Sequence, residues 1–200
     1  MQVSSNTRAE YEGLLRNHRL AQSAATIPNR YPWHSQAAVK ELLNLAVLKQ
    51  KQAAAAREEP IVIRILTGTC PEAIYGKKAF ELIESFVQSG GEVRVIAWNT
   101  SVSDNNSLLA MGGEYGDRVT FKLSGTTAGS DRLGHFLVVG KDAYRIEQPH
   151  PDLTGTEITD FSPEVLATIC FNDSDRAGSL ADLFDSLWEV CHPVALRRPT

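Results

Sequence analysis

Cysteine is scarce and scattered in this 200-residue chain: Cys70, Cys170 and Cys191 stand far apart, with no C-x-x-C pair. That spacing suggests neither a disulfide framework nor a zinc site, and each cysteine reads as a small buried hydrophobe. No apolar run approaches the roughly 18 residues that a membrane span requires. The opening residues lack the basic and apolar regions of a secretory leader, so the expectation is a cytoplasmic protein without membrane contact. Basic residues are not in excess either. Twenty Lys and Arg against 24 Asp and Glu leave a net charge of −4. Coating nucleic acid by bulk charge is thereby excluded, and only a local basic groove remains open to it. There is no internal repeat, and no low-complexity tract beyond the alanines at 53–56.

What is present is the composition of a globular protein, 42% hydrophobic and 22% charged. This length buries one core, or one domain with an appendage. The pattern changes near residue 59. Before it, Thr7-Arg8-Ala9-Glu10 has the spacing of a capping box and opens a first helix carrying Tyr11, Leu14 and Leu15. Residues 27–33 hold two prolines and are expected to form a loop. Within it, Tyr31-Pro32-Trp33-His34 supplies aromatic anchors against the core or a partner. Ser35 then caps a second helix, in which Val39, Leu42, Leu43, Ala46 and Val47 recur at helical spacing. Its tail, 49–57, has little apolar face and should project into solvent.

Beyond Pro60 strands alternate with helices. Ile61-Val62-Ile63-Arg64-Ile65-Leu66 reads as a strand buried on both faces. Residues 77–89 form a helix ended by Gly90-Gly91, and 93–98 a second strand. A short helix starts near Leu108, and 119–123 form a third strand. Residues 135–147 are a hairpin with Gly140-Lys141-Asp142 at its turn. A last strand covers 165–171, and the final helix starts near Asp173-Ser174 and is stopped at His192-Pro193. Strand–helix–strand order argues for right-handed parallel crossovers, and the hairpin makes the sheet mixed. The fold class is α/β. A mixed sheet is flanked by helices, with an N-terminal helical extension on residues 1–58 and an α/β domain on 59–200.

Candidate site residues gather around the hairpin. His135 stands at the mouth of its first strand, delivered there by the Gly/Ser/Thr loop 124–132. Arg145 and Glu147 lie on the second strand, where Glu147 is placed to orient His135 and Arg145 to supply positive charge. Asn172 closes the last strand beside the cap of the final helix and joins them as a ligand contact. Glu147 and His150 are two metal-type ligands close in sequence, but two do not make a site, so no metal and no cofactor is expected. Thr67-Gly68-Thr69-Cys70 reads as a strand-to-helix turn more readily than as an anion nest. His18, His34 and His192 are assigned no role.

Four features together resemble one repeat of the phospholipase D superfamily. They are the strand 61–66 followed by Thr67-Gly68; the run from Ala79-Phe80-Glu81 to Gly90-Gly91-Glu92-Val93-Arg94-Val95-Ile96; the His135 hairpin; and Phe171-Asn172-Asp173 followed by Leu183-Phe184-Asp185-Ser186-Leu187-Trp188. The resemblance implies a phospholipase D-like fold on residues 60–200. It also implies a site in which histidine attacks phosphorus while a second repeat's histidine protonates the leaving group. With one histidine motif in this chain, that site requires a homodimer. The family's H-x-K-x(4)-D is matched in part. His135 takes the nucleophile position and Asp142 the aspartate spacing, but Leu137 stands where the lysine should be. Arg145-Ile146-Glu147-Gln148 replaces the G-S-x-N segment. A degenerate, non-catalytic binding or regulatory module is therefore expected first. A dimeric phosphodiesterase or nuclease acting on nucleic acid or another phosphodiester is second, and a scaffold recruiting a protein partner through the N-terminal helices is third.

Overall fold

The computed structural model describes residues 5–68, 72–98, 107–124, 134–150 and 157–193. Among the described residues, eight strands form one mixed sheet, in the order β1-β7-β6-β5-β2-β3-β4-β8. Its centre is β2 (Val62–Thr67), parallel to β3 (Glu92–Ala97) on one side and antiparallel to β5 (Phe136–Val139) on the other. β4 (Val119–Leu123) continues the parallel half, and β8 (His192–Pro193) closes that edge antiparallel. On the other side β6 (Ala143–Glu147) pairs with β5 as a hairpin, and β7 (Ala167–Cys170) pairs with β6. The parallel pairs join through helical crossovers, as the alternating pattern requires.

Helices cover both faces. On one lie α2 (Pro32–Ala56), α3 (Glu72–Gln88) and α4 (Ser107–Tyr115), with α1 (Ser5–Leu20) docked onto α2. The other face is covered by α5 (Ser174–Val190), whose Ala177, Ala181 and Phe184 pack on Leu66, Val138 and Tyr144. Alternation along the hairpin assigns each residue to a face. Leu137 and Val139 point toward α2 and α3, whereas Phe136 and Val138 point toward α5. His135 and Glu147, in step with Leu137, therefore open onto the α2 side.

Three local expectations are corrected. The first helix starts at Ser5, so Thr7 lies within it rather than capping it. The proline-bearing segment expected as a loop contains a strand, β1 (Ile27–Asn29), antiparallel to β7. Pro28 is tolerated because β1 is the sheet edge and needs no second partner. α2 begins at Pro32, three residues before Ser35, since a proline in the first turn loses no helical hydrogen bond. Ser35 is instead a buried residue of the first turn.

The final helix starts where expected, with the Asp173 side chain accepting from Arg176 N. α2's tail is largely exposed, but Gln50 and Ala53 are buried. Gln50 accepts from Ile61 N at 2.8 Å and donates to Ser89 O at 3.1 Å, fixing the start of β2. α3 starts earlier than Lys77 and kinks at Gly76, whose φ of 56° breaks the helical run. Among the described residues, no helix is long and apolar enough to cross a membrane.

Candidate functional site

At the C-terminal end of β2 the hairpin brings His135 and Glu147 side by side. Glu147 N donates to His135 O at 2.8 Å, which locks the two strands at this point. Gly134 permits the approach: a Cβ there would stand 2.3 Å from Glu147 O. Across the strands, Glu147 Oε2 lies 3.1 Å from His135 Nδ1 and 3.2 Å from His150 Nε2. The two imidazoles meet edge to face with centroids 4.8 Å apart.

Arg145 holds the other carboxylate oxygen, its Nη1 donating to Glu147 Oε1 at 2.6 Å. Its Nη2 donates to Ser35 Oγ at 2.7 Å, and Ser35 donates to Asn29 Oδ1 at 3.1 Å. A buried polar chain thus runs from β1 through α2 to His135. Neither Ser35 nor Asn29 was identifiable as part of a site, because the Ser35 contact with Arg145 spans 110 residues of chain and Asn29 joins through Ser35. Arg145 Nε is buried with no partner among the described residues. Burial pushes the Glu147 carboxyl up, but the Arg145 charge and the hydrogen bonds from His135 and His150 outweigh it. They hold the group well below the usual carboxylate range.

These residues line a cavity of about 100 Å³, shared with Gly68, Tyr75 and Val165. At roughly 30 Å³ per water it has room for about three waters, far short of a 300–1,000 Å³ small-molecule pocket. Leu137 is 2% exposed and forms part of its wall, directly opposite Arg145 on the sheet. No lysine lines the cavity among the described residues. The remaining family-aligned positions lie elsewhere. Asp142 sits at the hairpin turn, at the far end of the strand, and is paired with Lys49 of α2. Asn172 is exposed at that same far end, next to Asp173, whose N–H donates to Asp142 O. The structure thus brings His135, Arg145 and Glu147 together and adds His150, while Asn172 stands apart. The turn after Thr67-Gly68 falls outside the described residues.

No protein-family model and no curated protein sequence matches the chain. Solved structures are similar in fold. NucT from Helicobacter pylori is 13% identical, with 85% of this chain and 99% of that chain covered, at a TM-score of 0.50. A polyphosphate kinase from Porphyromonas gingivalis is 14% identical, with 90% of this chain and 26% of that chain covered, at 0.56. The phospholipase D family member Nuc from Salmonella typhimurium is 11% identical over 74% of this chain and 89% of that chain, at 0.45. The fold is that of a mixed α/β domain with helices on both faces of its sheet. It is phospholipase D-like.

Proposed function

We propose that the protein is a non-catalytic phospholipase D-like module with a binding or regulatory role, acting as a homodimer, with its site centred on His135. One observation carries this reading: the Glu147 carboxylate lies at the centre of the site, within 3.2 Å of both histidines and 2.6 Å from Arg145. Phosphoryl transfer spreads negative charge over several oxygens, and a site built for it presents positive charge to them. Here the Arg145 charge is matched by Glu147, and Leu137 replaces the lysine. Each such loss costs about 2.7–4 kcal/mol of transition-state stabilisation, so two leave little rate enhancement. The dimer is supported by the single histidine motif of these 200 residues, since a second copy of the chain would supply the second motif that a two-repeat architecture contains.

The His135–Glu147 contact favours a second reading. A carboxylate on Nδ1 fixes the tautomer and leaves Nε2 as the nucleophilic nitrogen, as a dimeric phosphodiesterase or nuclease would need. One experiment separates the two. Wild type and His135→Ala are assayed with a phosphodiester reporter and with single- and double-stranded nucleic acid, and sedimentation gives the mass. Equal background rates and a dimeric mass are expected. A loss of 100-fold or more in His135→Ala would establish the enzyme, and a monomer at micromolar concentration would remove the dimer.

A further inference from the structure

The arrangement around Glu147 Oε2 has a second chemical meaning. One ligand atom each from His135, Glu147 and His150 lies within 4.8 Å of the other two. Two of the three separations are 3.1 and 3.2 Å. A tetrahedral cation bound at 2.0–2.2 Å from each donor sets them roughly 3.3–3.6 Å apart, so these two edges need to change by only a few tenths of an ångström. We propose that His135, Glu147 and His150 form a binding site for one divalent transition-metal cation, with zinc as the best chemical match.

The donor set selects the class of ion. Two imidazoles and one carboxylate suit zinc and its first-row neighbours, whereas magnesium and calcium prefer oxygen shells. The supporting shell is already built. Arg145 binds Oε1 at 2.6 Å and is itself held by Ser35 at 2.7 Å, which leaves Oε2 turned toward the histidines. Outer partners of this kind fix ligand orientation in metal sites. The cavity beside the cluster, about 100 Å³, has room for the water that would complete a fourth position. Rotation of the imidazoles closes the His–His edge, and binding moves each ring proton now shared with Glu147 through solvent to the other nitrogen of its neutral imidazole. Sequence spacing pointed to Glu147 and His150 alone; the strand pairing of β5 with β6 delivers the third donor.

This inference rests on the reading that His135 no longer serves as a phosphoryl nucleophile, and the test keeps the two apart. Metal-stripped full-length protein is titrated with Zn²⁺ by calorimetry and with Co²⁺ by visible absorption, and thermal unfolding is followed in parallel. One ion per chain, an intense tetrahedral Co²⁺ band and a raised Tm are expected. His150→Ala, at a loop position that should not disturb folding, weakens binding roughly 100-fold or more. Glu147→Gln does the same and abolishes the Co²⁺ band. His192→Gln, outside the cluster, leaves both unchanged and controls for surface binding; Cys70→Ser, Cys170→Ser and Cys191→Ser control for thiol capture. Stoichiometric binding that survives His150→Ala overturns the site, as does an affinity no tighter than millimolar in wild type. If the metal binds and phosphodiester cleavage appears only with it, the site stands and the non-catalytic reading falls. If neither appears, the non-catalytic reading stands and the site falls.

Discussion

Leu137 shows how much one residue can settle. Its position would carry lysine in an intact H-x-K site, yet here it is fully packed beneath α2 and opposite Arg145. Leu137→Lys should therefore not restore phosphoryl transfer. It would set an ammonium beside a guanidinium in an enclosed site, and burying a charge without its own partner is costly. The expected result is a loss of about 2–4 kcal/mol in urea unfolding with no gain in phosphodiesterase rate. A variant as stable as wild type and active would show that the pocket opens further than its geometry indicates. His34 gives a second prediction at this scale. Its ring stacks on Tyr11 at 4.1 Å and its Nδ1 accepts from Arg30 N at 3.2 Å. Burial lowers its pKa from 6.5 to about 4. The unfolded chain therefore binds the extra proton first, and stability falls as pH drops from 6.5 toward 4. For this partly exposed ring, with solvent screening, the loss is about 1–2 kcal/mol. Glu147, depressed in the fold, adds its own loss only below the ordinary carboxylate value of 4.5. Denaturation midpoints across this range, compared with His34→Gln, should show a flatter slope in the variant.

At the scale of elements, legibility follows the range of the interactions. β4, the hairpin and α5 were readable because periodicity, turn residues and caps are local signals. β1 was not. It is three residues long, carries Pro28, and exists only by pairing with β7, with Ile27 opposite Ile169. The same limit hid the Ser35–Arg145 contact, while the Glu147–His150 spacing and the His135–Glu147 pairing were each visible and their convergence on one carboxylate oxygen was not. Another long-range link ties β2 to α5: Arg64, buried on the sheet, donates to both Asp185 carboxylate oxygens at 2.9 and 2.8 Å. Asp185 is 43% exposed, so the pair is partly hydrated. Asp185→Ala leaves a buried guanidinium with, among the described residues, the Gly140 carbonyl at 3.4 Å as its remaining partner. A loss of about 1–3 kcal/mol is expected in denaturant unfolding, smaller than for a fully buried pair. A double-mutant cycle with Arg64→Met separates the pair from the packing, since an apolar residue of similar volume should recover part of the loss.

For the whole molecule, the decisive relation is between the N-terminal helices and the sheet. The change of sequence pattern near residue 59 reads as a helical extension, expected to pack on the α/β body or on a second subunit, followed by the domain 59–200. In the fold, α2 lies against the sheet: Val39, Leu42, Leu43 and Leu45 are almost fully buried in the same cluster as Ile63, Ile65 and Val93. α1 is tied to this layer by Arg19–Glu41 at 2.6 Å and by Tyr11 donating to Pro28 O at 3.0 Å. Burial of a Val or Leu side chain contributes about 1.5–3 kcal/mol, so these four residues of α2 account for roughly 6–12 kcal/mol. That is comparable to the whole net stability of a domain, about 5–15 kcal/mol. Removal of residues 1–58 would also leave β7 as an edge without β1 and Arg145 without Ser35. The fragment 59–200 is therefore expected to lose its cooperative unfolding transition and to bind a hydrophobic dye, as collapsed chains without fixed packing do. Far-UV circular dichroism melts of the fragment and the full chain decide the matter. A sharp two-state melt within about 5 °C of the full chain would mean that α2 is an appendage after all and that the site beneath it forms without it.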